Sequence, residues 1–116
     1  MVQHNLKKRT IRKRRIKTKI IGTSSRPRLS VFRSEHHLFV QLIDDQNKKT
    51  LIGLSDMVLG GTEKNKITRA HLLGMKIAEE AKKKRIAHIV FDRNGYAYHG
   101  RVKALSEGLR KGGLAH

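Results

Sequence analysis

Twelve Lys or Arg and no acidic residue occupy the first 34 positions, and the densest run is Arg12-Lys13-Arg14-Arg15-Ile16-Lys17-Thr18-Lys19. Like charges that close together, with few apolar side chains among them, cannot offset the entropy of ordering, so the run cannot form a core of its own. The other 82 residues hold fifteen Lys or Arg against nine Asp or Glu, and the formal net charge is +18. An excess of one sign concentrated at one end points to a polyanion as partner. A basic arm gains free energy on nucleic acid because each phosphate it neutralises releases condensed counterions, with no base contact required. A solvated tail that only aids solubility is the weaker reading, since added acids serve solubility better than added bases.

With the arm set aside, about 90 of the 116 residues remain, enough for one modest core. The expected division is a basic arm over residues 1–25, disordered without RNA, and a globular RNA-binding domain over residues 26–116. The absence of cysteine excludes disulfide staples and cysteine zinc sites. No apolar run approaches the ~18 residues of a membrane span, and the basic tail has no signal-peptide core. A soluble, non-secreted protein is expected. An acid-free, Arg-rich start also suits an organellar transit peptide, but those are Ser-rich and the first Ser here is Ser24.

Gly22-Thr23-Ser24-Ser25 before Arg26-Pro27 reads as a hinge, Gly and Ser loosening the chain and Pro27 extending Arg26. Arg28–Ser34 and Leu38–Asp44 are strand-like and separated by Glu35-His36-His37. The turn Asp45-Gln46-Asn47-Lys48 leads to a third apolar run, Thr50–Leu54, and the three form a meander. After Gly60-Gly61 the period becomes helical. Ile67, Ala70, Gly74, Ile77, Ala78 and Ala81 share one face of a helix over about Lys66–Lys84. Gly74 costs that helix about 1 kcal/mol relative to Ala, a cost understandable if something packs against the backbone there. Lys82-Lys83-Lys84-Arg85 complements the negative end of the helix dipole. Ala87–Phe91 reads as a strand reached by a crossover, and Arg101–Arg110 as a last helix with Val102, Leu105 and Leu109 inward and Gly112-Gly113 as its stop. The resulting order is βββαβα, an α/β layered sheet.

Asp92 to Lys103 concentrates both tyrosines, three cations and a histidine. The N-terminus of the last helix makes His99, Gly100 and Arg101 a candidate phosphate cradle, and Tyr96 and Tyr98 either stack on unpaired bases or close the core. Alternation puts His37, Phe39, Gln41 and Ile43 on one face of the second strand and Leu38, Val40 and Leu42 on the other. The aliphatic face belongs to the core, which leaves His37, Phe39 and Gln41 to face RNA. In the first strand Arg28, Ser30, Phe32 and Ser34 share a face opposite Arg33, and periodicity does not set how the two strands register. Seven histidines lack metal-site spacing. The carboxylates Asp44, Asp45, Asp56 and Asp92 invite comparison with a two-metal nuclease, but Asp44 and Asp45 sit in a turn where Asp bonds its own backbone.

The run Arg26-Pro27-Arg28-Leu29-Ser30-Val31-Phe32-Arg33-Ser34, followed by His37, Phe39, Gln41 and Asp44-Asp45, resembles the bacterial-type large-subunit ribosomal protein eighteen family, which binds 5S rRNA. Val90-Phe91-Asp92-Arg93-Asn94-Gly95-Tyr96-Ala97-Tyr98-His99-Gly100-Arg101-Val102-Lys103-Ala104-Leu105 is similar to that family's signature nearly throughout. The likeness covers almost the whole chain, from the arm to Gly113-Leu114. Departures are Glu35 and His36, where the family commonly has Asn and Lys, and Phe39, where Tyr is frequent.

The resemblance implies a protein without enzymatic activity or cofactor, joining 5S rRNA and neighbouring 5S-associated ribosomal proteins to 23S rRNA in the central protuberance. It implies a place in a cytoplasmic ribosome, with an organellar one left open, and neither membrane attachment nor a homo-oligomer is expected. It also implies a mixed sheet in a three-layer arrangement of ribonuclease H-like topology, a likeness of fold and not of hydrolysis. The implied RNA contacts are Arg26, Arg28, Ser34, His37, Gln41, Arg93, Tyr96, Tyr98, His99 and Arg101. To these the arm adds Arg9, Arg12, Lys13, Arg14, Arg15, Lys17 and Lys19, the strand reading adds Phe39, and Arg33 completes the expected set.

Overall fold

A computed structural model of the chain describes residues 20–59 and 65–116. Among these residues, strands β1 (Arg28–Arg33), β2 (Leu38–Asp44) and β3 (Lys49–Ser55) form an antiparallel meander. A fourth strand, β4 (Val90–Asp92), lies parallel to β1, so the mixed sheet has the order β3-β2-β1-β4. A 3-10 turn, Asp56–Leu59, follows β3, and two helices complete the described fold: α1 (Lys66–Lys83) and α2 (Gly100–Lys111). Gly60-Gly61 and the arm cations Arg9, Arg12, Lys13, Arg14, Arg15, Lys17 and Lys19 lie outside the described residues.

The register that periodicity left open pairs Leu29 with Leu42 and Val31 with Val40, and on the opposite face Ser30 with Gln41 and Phe32 with Phe39. Leu29, Val31, Leu38, Val40 and Leu42 are buried in one cluster with Ala70, Leu73, Ile77, Ala78 and Ala81 of α1 and Leu105 and Leu109 of α2. The two helices therefore pack on each other over one face of the sheet, giving two layers. The third layer implied by the resemblance is not among the described residues.

The helix contact turns on glycine. A methyl group at Gly74 would run into the carbonyl oxygen of Leu105 and the backbone of Leu109, and one at Gly108 would run into the carbonyl of His71. Each helix thus gives up a side chain where the other's backbone passes, which accounts for the mid-helix glycine. Ile67 stands beside Gly100, so both helices begin at the same end of the domain. Asn65 caps α1, its side chain accepting from the Ile67 and Thr68 N–H groups at 2.9 and 3.2 Å.

Three expectations are corrected. Ile67, placed on the buried stripe of α1 by its spacing, is 47% exposed, and Leu73 is buried in its stead. Ile67 lies in the first turn of α1, beside Gly100 at the start of α2. Ala87–Phe91 is not one continuous strand. Ile89 donates to Ala115 and Ala115 donates to Ala87, each at 2.9 Å, and pairing with β1 begins only at Val90. The stretch Gly22–Ser25 is not loose. Gly22 is buried, donates to Asp45 Oδ2 at 2.6 Å and accepts from the Asp45 N–H at 3.0 Å, while Thr23 and Arg26 close a turn through Thr23 N–H to Arg26 O at 3.0 Å and Arg26 N–H to Thr23 Oγ1 at 3.1 Å.

Candidate nucleic-acid interface

Three groups of candidate residues emerge, and one candidate is diverted to structural work. The diverted residue is Arg28. Its Nε and Nη2 donate to the two oxygens of Asp45 at 3.0 and 3.1 Å, and Nη1 donates to Asp92 Oδ2 at 3.0 Å. The hydrogen bond to Asp45 is the main cause raising its pKa above the usual arginine value, burial working against it and Asp92 reinforcing it. With three donors committed to carboxylates, Arg28 ties β1 to the turn after β2 and to β4.

Asp92 is wholly buried and also accepts from the Asn94 N–H at 2.9 Å. Asn94 and Gly95 both have positive φ (53° and 80°), and Tyr96 N–H closes on Arg93 O at 3.0 Å, a tight turn of the kind that Asn-Gly favours. The Asn94 amide reaches Ser30 Oγ at 2.8 Å and Val31 O at 2.7 Å. This buried network sets the direction in which the following tyrosine segment leaves β4.

The first group gathers at the end of the sheet where the helices begin. Tyr96 O–H donates to Arg33 O at 3.3 Å and accepts from the Arg33 N–H at 3.2 Å, while the Arg33 guanidinium lies 5.3 Å from the centre of the Tyr96 ring. Arg101 Nη2 donates to Ser34 O at 3.0 Å. Its Nη1 is buried with no hydrogen-bond partner among the described residues. Burial, and then the positive charge of Arg33, push the Arg101 pKa below its ordinary value, with Asp56 and Tyr96 acting the other way. Lys66 Nζ joins the group by donating to Glu35 O at 2.7 Å. His37 closes the β1–β2 turn on Ser34, its N–H donating to Ser34 Oγ at 3.1 Å, and its Nδ1 lies 2.9 Å from Asp56 Oδ1. His99 occupies the N-cap of α2 without a side-chain capping bond, so it does not act as the helix cap that its position suggests.

The second group is the sheet face away from the helices. Phe32 and Phe39, paired in register, are each 40% exposed with ring centres 6.5 Å apart, and Gln41 is half-buried beside them. Gly53 lies opposite Gln41, and a Cβ there would make only ordinary contact with the Phe39 ring, at 3.7 Å. The third group lies along β4 at the sheet's edge, where Arg26, Arg93 and Tyr98 surround Phe91.

The carboxylates do not assemble. Asp44 bonds Asn47 within its turn, as the sequence suggests, Asp45 and Asp92 are separated by Arg28, and Asp56 faces His37 and Arg69. Among the described residues no group of three metal-ligating side chains occurs, and no helix is long and apolar enough to cross a membrane. Sequence reasoning overlooked Lys66, and also Arg110 and His116, which line the hollow beside Phe91 and Tyr98. Alternation could have flagged Phe32 as Phe39's companion, but no local signal marks the other three, which reach their places only through tertiary packing.

Residues 3–116 match the family described as "Ribosomal L18 of archaea, bacteria, mitoch. and chloroplast". The chain is 51% identical over 107 residues to the large ribosomal subunit protein uL18 of Chloroherpeton thalassium, covering 88% of each. It is 50% identical over 108 residues to that of Clostridium botulinum (91% of this chain, 90% of the relative) and 50% over 101 residues to that of Mycoplasmopsis pulmonis (86% of each). With a match from residue 3 to the last residue and half the positions shared with such relatives, this chain belongs to the ribosomal L18 family.

Proposed function

We propose that this chain is a structural constituent of the large ribosomal subunit that binds 5S rRNA and helps attach it to 23S rRNA in the central protuberance. Membership of the L18 family makes it a non-enzymatic ribosomal component that works in the cytoplasmic ribosome among rRNA and ribosomal neighbours. The choice of 5S rRNA, the bridge to 23S rRNA and the contacts with 5S-associated proteins are the finer parts of the proposal.

The observation that carries it is the convergence of Arg33, Arg101, Tyr96 and Lys66 at one end of the sheet, from segments far apart in sequence. Arg33 and Arg101 repel one another there, and a phosphate between such cations would stabilise both. The exposed Phe32–Phe39 face adds rings on which unpaired bases can stack. The arm cations Arg9, Arg12, Lys13, Arg14, Arg15, Lys17 and Lys19 supply a sequence-independent share of affinity. The ribonuclease H-like topology belongs to the same reading, supported by three sequential antiparallel strands and a fourth that returns through a helix to lie parallel to the first.

Competition tests the proposal. At moderate salt, excess duplex DNA should fail to displace the full chain from 5S rRNA, since recognition by shape and loops discriminates against a regular duplex. Displacement by an equal mass of duplex DNA would reduce the protein to a general polyanion binder.

A further inference from the structure

The outer edge of β4, where the third group of candidate residues sits, borders a groove whose shape the contact residues alone do not describe. It encloses about 490 Å³ between Arg26, Phe91, Tyr98, Arg110 and His116. A second hollow of about 310 Å³ shares Phe91 and Tyr98 and adds Arg93. Both lie within the size range of small-ligand sites.

The floor is aromatic and its parts are fixed by a directional chain of hydrogen bonds. His116 Nδ1 lies 3.1 Å from Leu114 O. A carbonyl can only accept, so that nitrogen carries the proton and Nε2 is an acceptor. Ser106 O–H therefore donates to His116 Nε2 at 2.7 Å, and Ser106 Oγ accepts from Tyr98 O–H at 3.1 Å. The imidazole packs against Phe91, ring centres 5.4 Å apart. Tyr98 and Phe91 are thus held as two walls rather than left as loose surface rings. Because the Val90 N–H points to Pro27 O, alternation along the strand turns the Phe91 N–H away from β1, toward the groove.

The rim is cationic. Arg26, Arg93 and Arg110 line the two hollows together with no Asp or Glu. Among the described residues none of the three pairs with an Asp or Glu, in contrast to Arg28 and Arg69, although Arg110 Nη2 donates to His116 O at 3.4 Å and so is tied to the groove wall. Aromatic walls alone would suit any apolar group, and arginines alone any anion. Their combination selects a ligand with a flat π-face and an attached phosphate.

Resting on the RNA-binding reading above, we propose that the groove along β4 holds a single unstacked nucleotide, its base against Phe91 and Tyr98 and its phosphates met by Arg26, Arg93 and Arg110. The site extends the interface from the end of the sheet to its edge and gives the protein a place to seize a base extruded from a loop.

The test uses the full chain, with ring resonances of Phe91, Tyr98 and His116 followed by NMR during titration with adenosine 5′-monophosphate, inorganic phosphate or a tetra-aspartate peptide, while 5S rRNA binding is measured in parallel. The nucleotide should shift all three rings saturably and phosphate should not. Arg26→Ala should weaken nucleotide binding by roughly tenfold, the order expected for loss of one charge-assisted contact. Rings unmoved by the nucleotide, with 5S rRNA still bound, would remove the groove from the interface and leave the broader reading standing. Failure to bind 5S rRNA at all would sink that reading itself. Equal shifts from inorganic phosphate would mean an anion patch without a base site, and a response to the peptide alone would assign the groove to a protein neighbour; either outcome overturns the proposal.

Discussion

Arg28 donates to Asp92 across 3.0 Å, joining the first residue of β1 to a carboxylate that has no solvent exposure. Removing either partner strands a buried charge, whose cost exceeds what the pair itself contributes. Arg28→Ala should therefore destabilise the fold by about 3 kcal/mol, read as a lower urea midpoint. Any loss of RNA affinity should follow from unfolding and vanish under conditions that keep the variant folded. If the folded variant bound RNA markedly more weakly, Arg28 would be a direct contact as well.

Gly74→Ala tests the helix contact. In an isolated helix the change would help by about 1 kcal/mol. Here the new methyl meets the backbone of Leu105 and Leu109, which cannot swing aside as a flexible side chain could. Overpacking should prevail and the domain should lose about 2 kcal/mol, measured by thermal or chemical unfolding. A more stable variant would show that the helices can separate at no cost.

On the open face, Phe39→Ala should weaken RNA binding by about 1–3 kcal/mol, the range for losing one stacked base, with a smaller effect on unfolding because the ring is already 40% exposed. The informative comparison is affinity by filter binding against stability for the same variant. A large stability loss with unchanged affinity would assign the ring to packing against Phe32.

His116 predicts a pH effect. Burial is the main cause lowering its pKa from the ordinary 6.5, aided by the charge of Arg110 and opposed by the bond to Leu114 O. Over the window from 6.5 down to the lower folded value, the unfolded chain binds more protons than the folded one, so stability falls as pH falls. Comparing unfolding free energies at about pH 7 and about pH 5.5, the native chain should lose more stability than His116→Gln. Equal losses would show that other groups carry the dependence.

Deleting residues 1–21 stops short of the buried Gly22 and should leave the domain folded. If the arm neutralises on the order of 6 to 10 phosphates, the slope of log affinity against log salt should flatten by about 0.7–0.9 for each contact removed. An unchanged slope would mean that the arm does not touch this RNA.

Some of this was readable directly from the residues, because local chemistry determines it. The alternation Leu38, Val40, Leu42 against Phe39, Gln41 decides which face of β2 is buried whatever it pairs with, and the observed burial follows it. The helical spacing of Ala70, Gly74, Ile77, Ala78 and Ala81, and the stop at Gly112-Gly113, likewise matched the observed elements. The long signature from Val90 to Leu105 carries the family likeness in its local order of residues, with no tertiary contact required.

Tertiary structure decided what depends on distant partners. Nothing near Arg28 in sequence foretells that Asp45 and Asp92 will occupy its donors, and nothing near Gly22 foretells that Asp45 will pin it. Ile67 obeys the helical period yet is exposed, because the period states which residues share a face but not which turns of the helix are covered. The β4 groove exists only because the chain's last residues return to Ile89 and set His116 against Phe91. Side-chain period is a property of the backbone and can be read locally, whereas the pairing of charges and the closing of a groove are long-range events that appear only once the chain has folded.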